Sequence, residues 1–286
     1  MDLSIIIVSW EVKDLLRENL TALLNDSQNI ELEIFVVDNN SSDGTVEMVR
    51  RDFSQVSLIK NTDNAGFAKA NNQAIGKTKG KYILLLNPDM KVLPGTLEGM
   101  VRWMEEHQEA GVAGCRLITK SGQTVPHVRR FPSVLDQLSI VLKLPHLFPG
   151  ILNAYLRTNF DYNREAEVDS IRGSFFMIRR EALEKIGLLD EQFFIWFEEV
   201  DYCHRVKKAG WKVMYTPAVQ CVDYVGQSFK LIKRGAAQKY FRDSMLKYFK
   251  KWHPAWQYLV LKIAWPIGQL IAFTGEKINL EVRAKT

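Results

Sequence analysis

Cysteine is scarce in this chain: three among 286 residues, Cys115, Cys203 and Cys221, an odd number without the paired short spacing of a zinc or redox site. The scarcity excludes a disulfide scaffold and leaves reduced thiols acting as small buried hydrophobes in a cytosolic compartment. A basic leader is missing as well. Met1-Asp2-Leu3-Ser4-Ile5-Ile6-Ile7-Val8 carries an acid where an export signal carries lysine or arginine, and the apolar run ends before Glu11 and Lys13, so the reading expects no export. A glycine-rich basic loop is also absent after the first apolar run, where Ser9-Trp10-Glu11-Val12-Lys13 stands instead. There is no internal repeat and no low-complexity tract.

What is present belongs to a folded protein. Hydrophobic residues make up 47% and charged residues 25% of the chain, ordinary proportions for a packed domain, and the length suits one large α/β domain with a smaller appendage. The net charge of +5 is unevenly spread: residues 226–286 hold 12 Lys/Arg against 3 Asp/Glu, whereas residues 1–225 hold 26 against 30. The positive charge is therefore a property of the tail, suited to nucleic acid or to an anionic membrane.

Leu3–Ser9 is a β-branched run of buried-strand length, followed over 12–25 by leucines at helical spacing. The same alternation recurs, with strands expected at 33–37, 56–60 and 82–86 and helices from about Ser42, at 68–77 and at 94–107. Strands that alternate with helices predict a mainly parallel sheet covered on both faces. After a strand at 112–118 the pattern loosens, and 120–167, with Pro126, Pro132, Pro145 and Pro149, reads as an irregular insertion on the substrate side. Order returns with a strand at 174–178, helices at 180–186 and 198–209, and two strands at 212–215 and 219–224.

Ligands of such sheets bind beyond the carboxyl ends of the strands, and the segments there are polar. Asp38 closes a strand and opens Asn39-Asn40-Ser41-Ser42-Asp43-Gly44; its carboxylate suits a base or ribose, or else an Asx turn and helix cap. Asn87-Pro88-Asp89 follows an apolar strand; it delivers a carboxylate that can help hold a divalent cation on a diphosphate, or it is simply a turn. Phe193-Phe194-Ile195-Trp196-Phe197-Glu198-Glu199-Val200-Asp201 sets acids at a helix start behind an aromatic run. Such acids suit general-base work on a hydroxyl; equally, they complement a helix dipole, with Asp201 and Arg205 paired across one turn.

In their order and spacing these segments resemble the family 2 glycosyltransferases, particularly the bacterial rhamnosyltransferase-like branch. The resemblance runs over residues 3–228 and rests on Ser4-Ile5-Ile6-Ile7-Val8-Ser9, Val36-Val37-Asp38-Asn39-Asn40-Ser41-Ser42-Asp43-Gly44, Asn64-Ala65-Gly66-Phe67, Leu85-Leu86-Asn87-Pro88-Asp89, Arg172-Gly173-Ser174 and Phe194-Ile195-Trp196-Phe197-Glu198-Glu199-Val200-Asp201. It implies a GT-A-type nucleotide-diphospho-sugar transferase fold at 1–228 and an inverting single displacement. Ser9, Asp38, Asn40, Asn64, Gly66, Asn87 and Asp89 would bind the nucleotide sugar. Gly173, Trp196 and Asp201 would meet the acceptor. Glu199 would be the general base, with Glu198 as fallback. Asp89 would hold Mg2+ or Mn2+. The chain departs from the family's pattern at Trp10-Glu11, and again at Val222-Asp223-Tyr224-Val225-Gly226-Gln227-Ser228, where Asp223 replaces a histidine and becomes a second candidate metal ligand.

The tail at 229–286 is read as basic then apolar helix. Residues 255–273 hold one charge, Lys262, and Pro266, with Trp252, Trp256, Tyr258 and Trp265 clustered towards one end. A membrane span, a helix lying in the interface and a helix packed on the catalytic domain or a second subunit all remain open, the interface being favoured. The adjoining apolar segment suits lipid better than a phosphate groove, so no nucleic-acid partner is expected. The expected acceptor is a polyprenyl-diphosphate-linked saccharide and the expected location the cytoplasmic face of the membrane, peripherally, with homo-oligomerisation left open. Rival functions are a sugar-1-phosphate nucleotidyltransferase, which would want the missing glycine-rich loop, and a non-catalytic binding subunit.

Overall fold

The computed structural model describes residues 1–27, 29–224 and 234–283, with side chains except at Arg234 and beyond residue 272. In chain order the elements are β1 (Leu3–Ser9), α1 (Lys13–Asn25), β2 (Leu32–Asp38), α2 (Thr45–Asp52), β3 (Ser57–Lys60), α3 (Phe67–Ile75), β4 (Tyr82–Leu86), β5 (Met90–Val92), α4 (Thr96–Glu106) and β6 (Ala110–Ile118). There follow α5 (Val134–Val141), α6 (Asn153–Leu156), β7 (Ala166–Glu167), β8 (Phe175–Arg179), α7 (Arg180–Ile186), α8 (Glu198–Lys208), β9 (Lys212–Asp223), α9 (Arg234–Trp252) and α10 (Ala255–Arg283).

The strands form one nine-stranded sheet in the order β3-β2-β1-β4-β8-β6-β9-β5, with β7 paired to β9. β1, β2, β3, β4, β6 and β9 share one direction, while β8, β5 and β7 run against it, so the mainly parallel sheet expected from the alternation is present with antiparallel insertions. The β-branched strands are apolar on both sides because both faces are covered. Leu3, Ile5 and Ile7 pack with Leu16 and Leu20 of α1 and Met100 of α4. Ile6 and Val37 face the other way, towards Ala70 and Ala74 of α3 and Tyr202 and Val206 of α8.

Three differences from the sequence expectation follow from backbone detail. The helix expected from Ser42 begins at Thr45, because Gly44 at φ 84° turns the chain first. The two strands expected at 212–215 and 219–224 are one, β9, whose register against β6 jumps from Cys115–Thr216 to Arg116–Gln220 around Pro217. The insertion at 120–167 contains α5, whose start is fixed by a capping box in which Ser133 accepts from the Asp136 amide and Asp136 accepts from the Ser133 amide.

The tail is helical, and it is packed. Met245, Tyr248 and Phe249 of α9 and Leu261 of α10 are fully buried in a third cluster with Phe193 and Phe197. α10 lies so close to α5 that a Cβ on Gly268 would sit 2.1 Å from the Val141 carbonyl oxygen. Its opposite side leaves Trp256, Leu259, Ile263 and Ile267 exposed at helical spacing. Among the described residues no helix is long and apolar enough to cross a membrane. The expected boundary at 228/229, Gly226–Ser228 of the altered motif, and Lys230 and Lys233 of the basic segment lie outside the described residues.

Candidate functional site

The carboxyl ends of β1, β2 and β4 bring the expected donor residues together. Ser9 and Asp38 are ladder partners and both are fully buried. One Asp38 oxygen accepts from the Ser41 amide at 3.0 Å, so the turn reading is correct for that atom; Oδ1 has no partner, nor has Ser9 Oγ. Buried polar atoms rarely go unpaired, and two at one strand edge mark a place where a ligand completes the bonding. Asn40 is exposed at φ 63°. Asn64 is exposed too, and its Oδ1 accepts from the Gly66 amide and from Asn39 Nδ2. Gly66 is indispensable by geometry: at φ 80° and ψ 180° a Cβ would lie 2.5 Å from the Phe194 carbonyl oxygen, which the Phe67 amide binds at 2.7 Å. The donor-side loop is thus fastened to the segment leading to the acids.

Asn87-Pro88-Asp89 is nailed down at three points. Its Asn87 amide donates to Ser174, the Asn87 carbonyl accepts from buried Asn19 of α1, and the Asp89 carbonyl accepts from the Tyr224 amide. β5, too short to be seen in the sequence, begins immediately afterwards and pairs Met90 with Asp223. The two candidate metal ligands therefore stand at adjoining ladder positions, each 4% exposed, and Asp223 Oδ2 accepts from Arg172 Nη1 at 3.0 Å. Among the described residues no cluster of three or more His, Cys, Asp and Glu can hold a metal. A pair of carboxylates is what a hard divalent cation needs when substrate phosphates and water complete its shell, and too few for a closed protein cage.

The acids arrive by a strained turn. Trp196 and Phe197 occupy the left-handed region consecutively, at φ 65° and 68°, which costs about 1–3 kcal/mol for each such residue. The turn starts α8 so that Glu198 and Glu199 line a cavity of about 410 Å3, together with Asn87, Asp223, Arg172 and Gly173. Oε2 of each glutamate is buried without a partner. Burial, more than anything else, raises both carboxyls above the ordinary range, and the charge of Glu199 lifts Glu198 further. Glu199 is drawn back by helix-start amides and by Arg129 and Arg172; no cation does this for Glu198. Arg129 and Arg172 thus favour the charged form of Glu199, as a general base requires.

Gly173 and Trp196 line the same cavity, and a Cβ on Gly173 would meet that of Glu199 at 3.5 Å, an ordinary contact. Asp201, expected at the acceptor, is elsewhere. Fully buried, it accepts from Arg205 Nε at 2.9 Å and from Trp252 Nε1 at 2.8 Å, and pairs with Lys251 Nζ at 2.7 Å. Its place in the acidic motif hid a partner fifty residues downstream. Conversely, His127, Arg129, Gln137 and Tyr155 line the cavity without having been singled out, because they come from the irregular insertion, where no periodicity marks a face.

The chain is similar to N-acetylglucosaminyl-diphospho-decaprenol L-rhamnosyltransferase of Mycobacterium tuberculosis, 25% identical over 224 residues that cover 74% of this chain and 72% of the relative. Rhamnosyltransferase WbbL of Escherichia coli K12 is also 25% identical, over 228 residues covering 77% and 82%. Among solved structures, the mannosyltransferase PcManGT of Pyrobaculum calidifontis, in complex with GDP-Man and Mn2+, superposes with a TM-score of 0.56 at 20% identity, over 96% of this chain and 75% of that one. A family model described as Glycosyl transferase family 2 matches residues 4–187, which contain the Ser9–Asp38 edge and the Asn87-Pro88-Asp89 turn. By that match over most of its length, and with the GT-A-type α/β fold to accompany it, the chain belongs to glycosyltransferase family 2.

Proposed function

We propose that this glycosyltransferase moves a sugar from a nucleotide-diphosphate donor to a hydroxyl of a lipid-linked saccharide, with inversion, during assembly of a cell-surface polysaccharide. The observation that carries the reading is the shared cavity, which is lined both by Glu199, set by burial and by two arginines, and by Asp223, the ladder neighbour of Asp89. Glu199 takes the proton of the acceptor hydroxyl as that oxygen attacks the anomeric carbon, and Glu198, raised by burial and by the charge of Glu199, is the less ready of the two to carry charge. The open atoms of Ser9 and Asp38 receive the nucleoside. Asp89 and Asp223 would hold Mg2+ or Mn2+, which when bound supplies positive charge for the departing diphosphate. Arg172, held on Asp223, stands ready to offset charge at the same place.

The activities of the relatives, rhamnosyl transfer in both and a decaprenol-linked acceptor in one, support a rhamnosyl donor and a polyprenyl carrier. The exposed apolar row of α10 supports docking on a membrane surface, which in this reading is the cytoplasmic face. A panel of nucleotide sugars with Mg2+ or Mn2+, followed by release of nucleoside diphosphate and by anomeric configuration of the product, tests the reading. Retention of configuration, or turnover undiminished in Glu199→Gln, refutes the mechanism. Absence of binding to anionic liposomes refutes the docking.

A further inference from the structure

Three neutral polar side chains face the catalytic cavity with nothing to bond. Gln137 of α5 is 0% exposed, and neither its Nε2 nor its Oε1 has a partner. His127 is 3% exposed; its ring is close enough to the Cys115 backbone to feel it, but neither ring nitrogen has a partner in good hydrogen-bond geometry. Ser174 Oγ is the third. Proteins seldom leave an amide and an imidazole unsatisfied in the interior, since each has lost water and gained nothing in exchange. Here both are also held rigidly. The capping box fixes the first turn of α5, and Gly268 seats α10 against its end. The His127 amide donates to Tyr162 Oη, while the ring packs beside Tyr162 and Tyr215, its centroid 5.7 and 5.6 Å from theirs. Burial, reinforced by Arg172, lowers the imidazole to about 3, so at neutral pH it offers one donor and one acceptor.

The chemistry of the set describes its ligand. An amide, an imidazole and a hydroxyl, all neutral and each able both to give and to accept, suit the hydroxyls of an uncharged sugar ring. Arg129, exposed at the same cavity and placed to act on Glu199, suits a phosphate attached to that sugar. The nucleoside end of the donor is not the occupant: Ser9, Asp38 and Asp89 do not line this cavity, and the donor side is represented only by Asn87 and Asp223, whereas residues from the insertion after β6 line much of the rest. We propose that Gln137 and His127 form the seat of the neutral sugar in a lipid-diphosphate-linked acceptor, with Arg129 receiving the adjoining phosphate, and so determine acceptor specificity. The proposal rests on the glycosyl-transfer reading and adds to it the residues that select the acceptor.

The test uses the full chain in detergent micelles, the nucleotide sugar selected by the donor panel, and N-acetylglucosaminyl diphosphate on a decaprenyl chain as acceptor probe. Donor hydrolysis without acceptor is measured alongside transfer and thermal stability. Gln137→Leu, which keeps the volume and removes both bonding ends, is expected to raise the acceptor KM roughly 10- to 100-fold. Donor KM and donor hydrolysis should stay within twofold, and the melting temperature should hold or rise, because an unpartnered buried amide has been removed. His127→Phe should raise the acceptor KM in the same way, and Arg129→Met should weaken competition by a sugar-free decaprenyl diphosphate. Acceptor KM within threefold of the parent in both Gln137→Leu and His127→Phe overturns the seat. So does a fall in melting temperature of Gln137→Leu accompanied by lost donor hydrolysis, the mark of a structural role. A parent that hydrolyses donor but ignores the probe overturns this acceptor class and leaves the donor reading standing; a parent that binds no nucleotide sugar fails the underlying reading first and the seat with it.

Discussion

Replacing Asp201 by asparagine separates an anchor from a substrate contact. The aspartate is fully buried and meets three donors, so its loss resembles breaking one side of a buried ion pair, about 3–5 kcal/mol where the partner is left stranded. The partners here are not fully stranded. Lys251 keeps Asp190 at 2.6 Å, Arg205 keeps the Ile186 carbonyl at 3.2 Å, and the new amide oxygen can still accept from Trp252. That reduces the expected loss to about 2–3 kcal/mol. At about 2 °C per kcal/mol for a chain of this size, the melting temperature should fall by about 4–6 °C. Hydrogen exchange should quicken along α9, because Trp252 joins that helix to α8, while acceptor and donor KM remain near those of the parent. Differential scanning fluorimetry, exchange mass spectrometry and steady-state kinetics read the three parts. A melting temperature within 1 °C of the parent, combined with a raised acceptor KM, would refute the anchor and restore Asp201 to the acceptor.

Glu199→Gln should cut transfer by about 10²- to 10⁴-fold while donor affinity holds; Glu198→Gln, which removes a carboxyl that no cation helps to ionise, should retain most activity, and the reverse ranking in a single-turnover assay would move the base by one residue. His127 is held neutral, with its folded value lowered to about 3 from an unfolded value near 6.5, so the unfolded chain binds the extra proton between these limits and stability falls as pH drops below about 6.5. His127→Phe should flatten that fall in melts taken from pH 7 to pH 5, and an unchanged slope would show the imidazole to be solvated. Gly66→Ala must place a methyl group 2.5 Å from the Phe194 carbonyl oxygen at a backbone angle other residues rarely adopt, so the melting temperature and donor affinity should drop together; a drop in neither would mean that the loop is free to move.

The place of Ser9, Asp38 and Asp89 at the carboxyl edge of the sheet was legible because each ends or follows a strand whose apolar run is plain in the sequence. Asp38 and Asp89 needed no knowledge of tertiary contacts. Asp223 was noticed as a departure from a motif, but its nearness to Asp89 depends on β5, three residues long and alternating too briefly to register. Asp201 was misplaced because its charge pattern with Arg205 is local while Trp252 and Lys251 are not. Gln137 and His127 were invisible for a different reason: a buried polar residue reads as surface until the partners it lacks can be counted.

The three residues between β4 and β5 act as a ruler. From Leu86 to Met90 the chain can reach at most about 14 Å. Yet β5 is four places from β4 in the strand order, which in a flat sheet would be about 19 Å. The sheet must therefore roll up at this end, and the register jump of β9 around Pro217, whose neighbour Val219 packs against Gly99 of α4, is where it bends. Asn87-Pro88-Asp89 is the short tie that draws β5 back towards β4. The Asp89 and Asp223 backbones are neighbours because of this roll, and a single residue inserted after Leu86 would lengthen the link and let β5 slip from its register on β9.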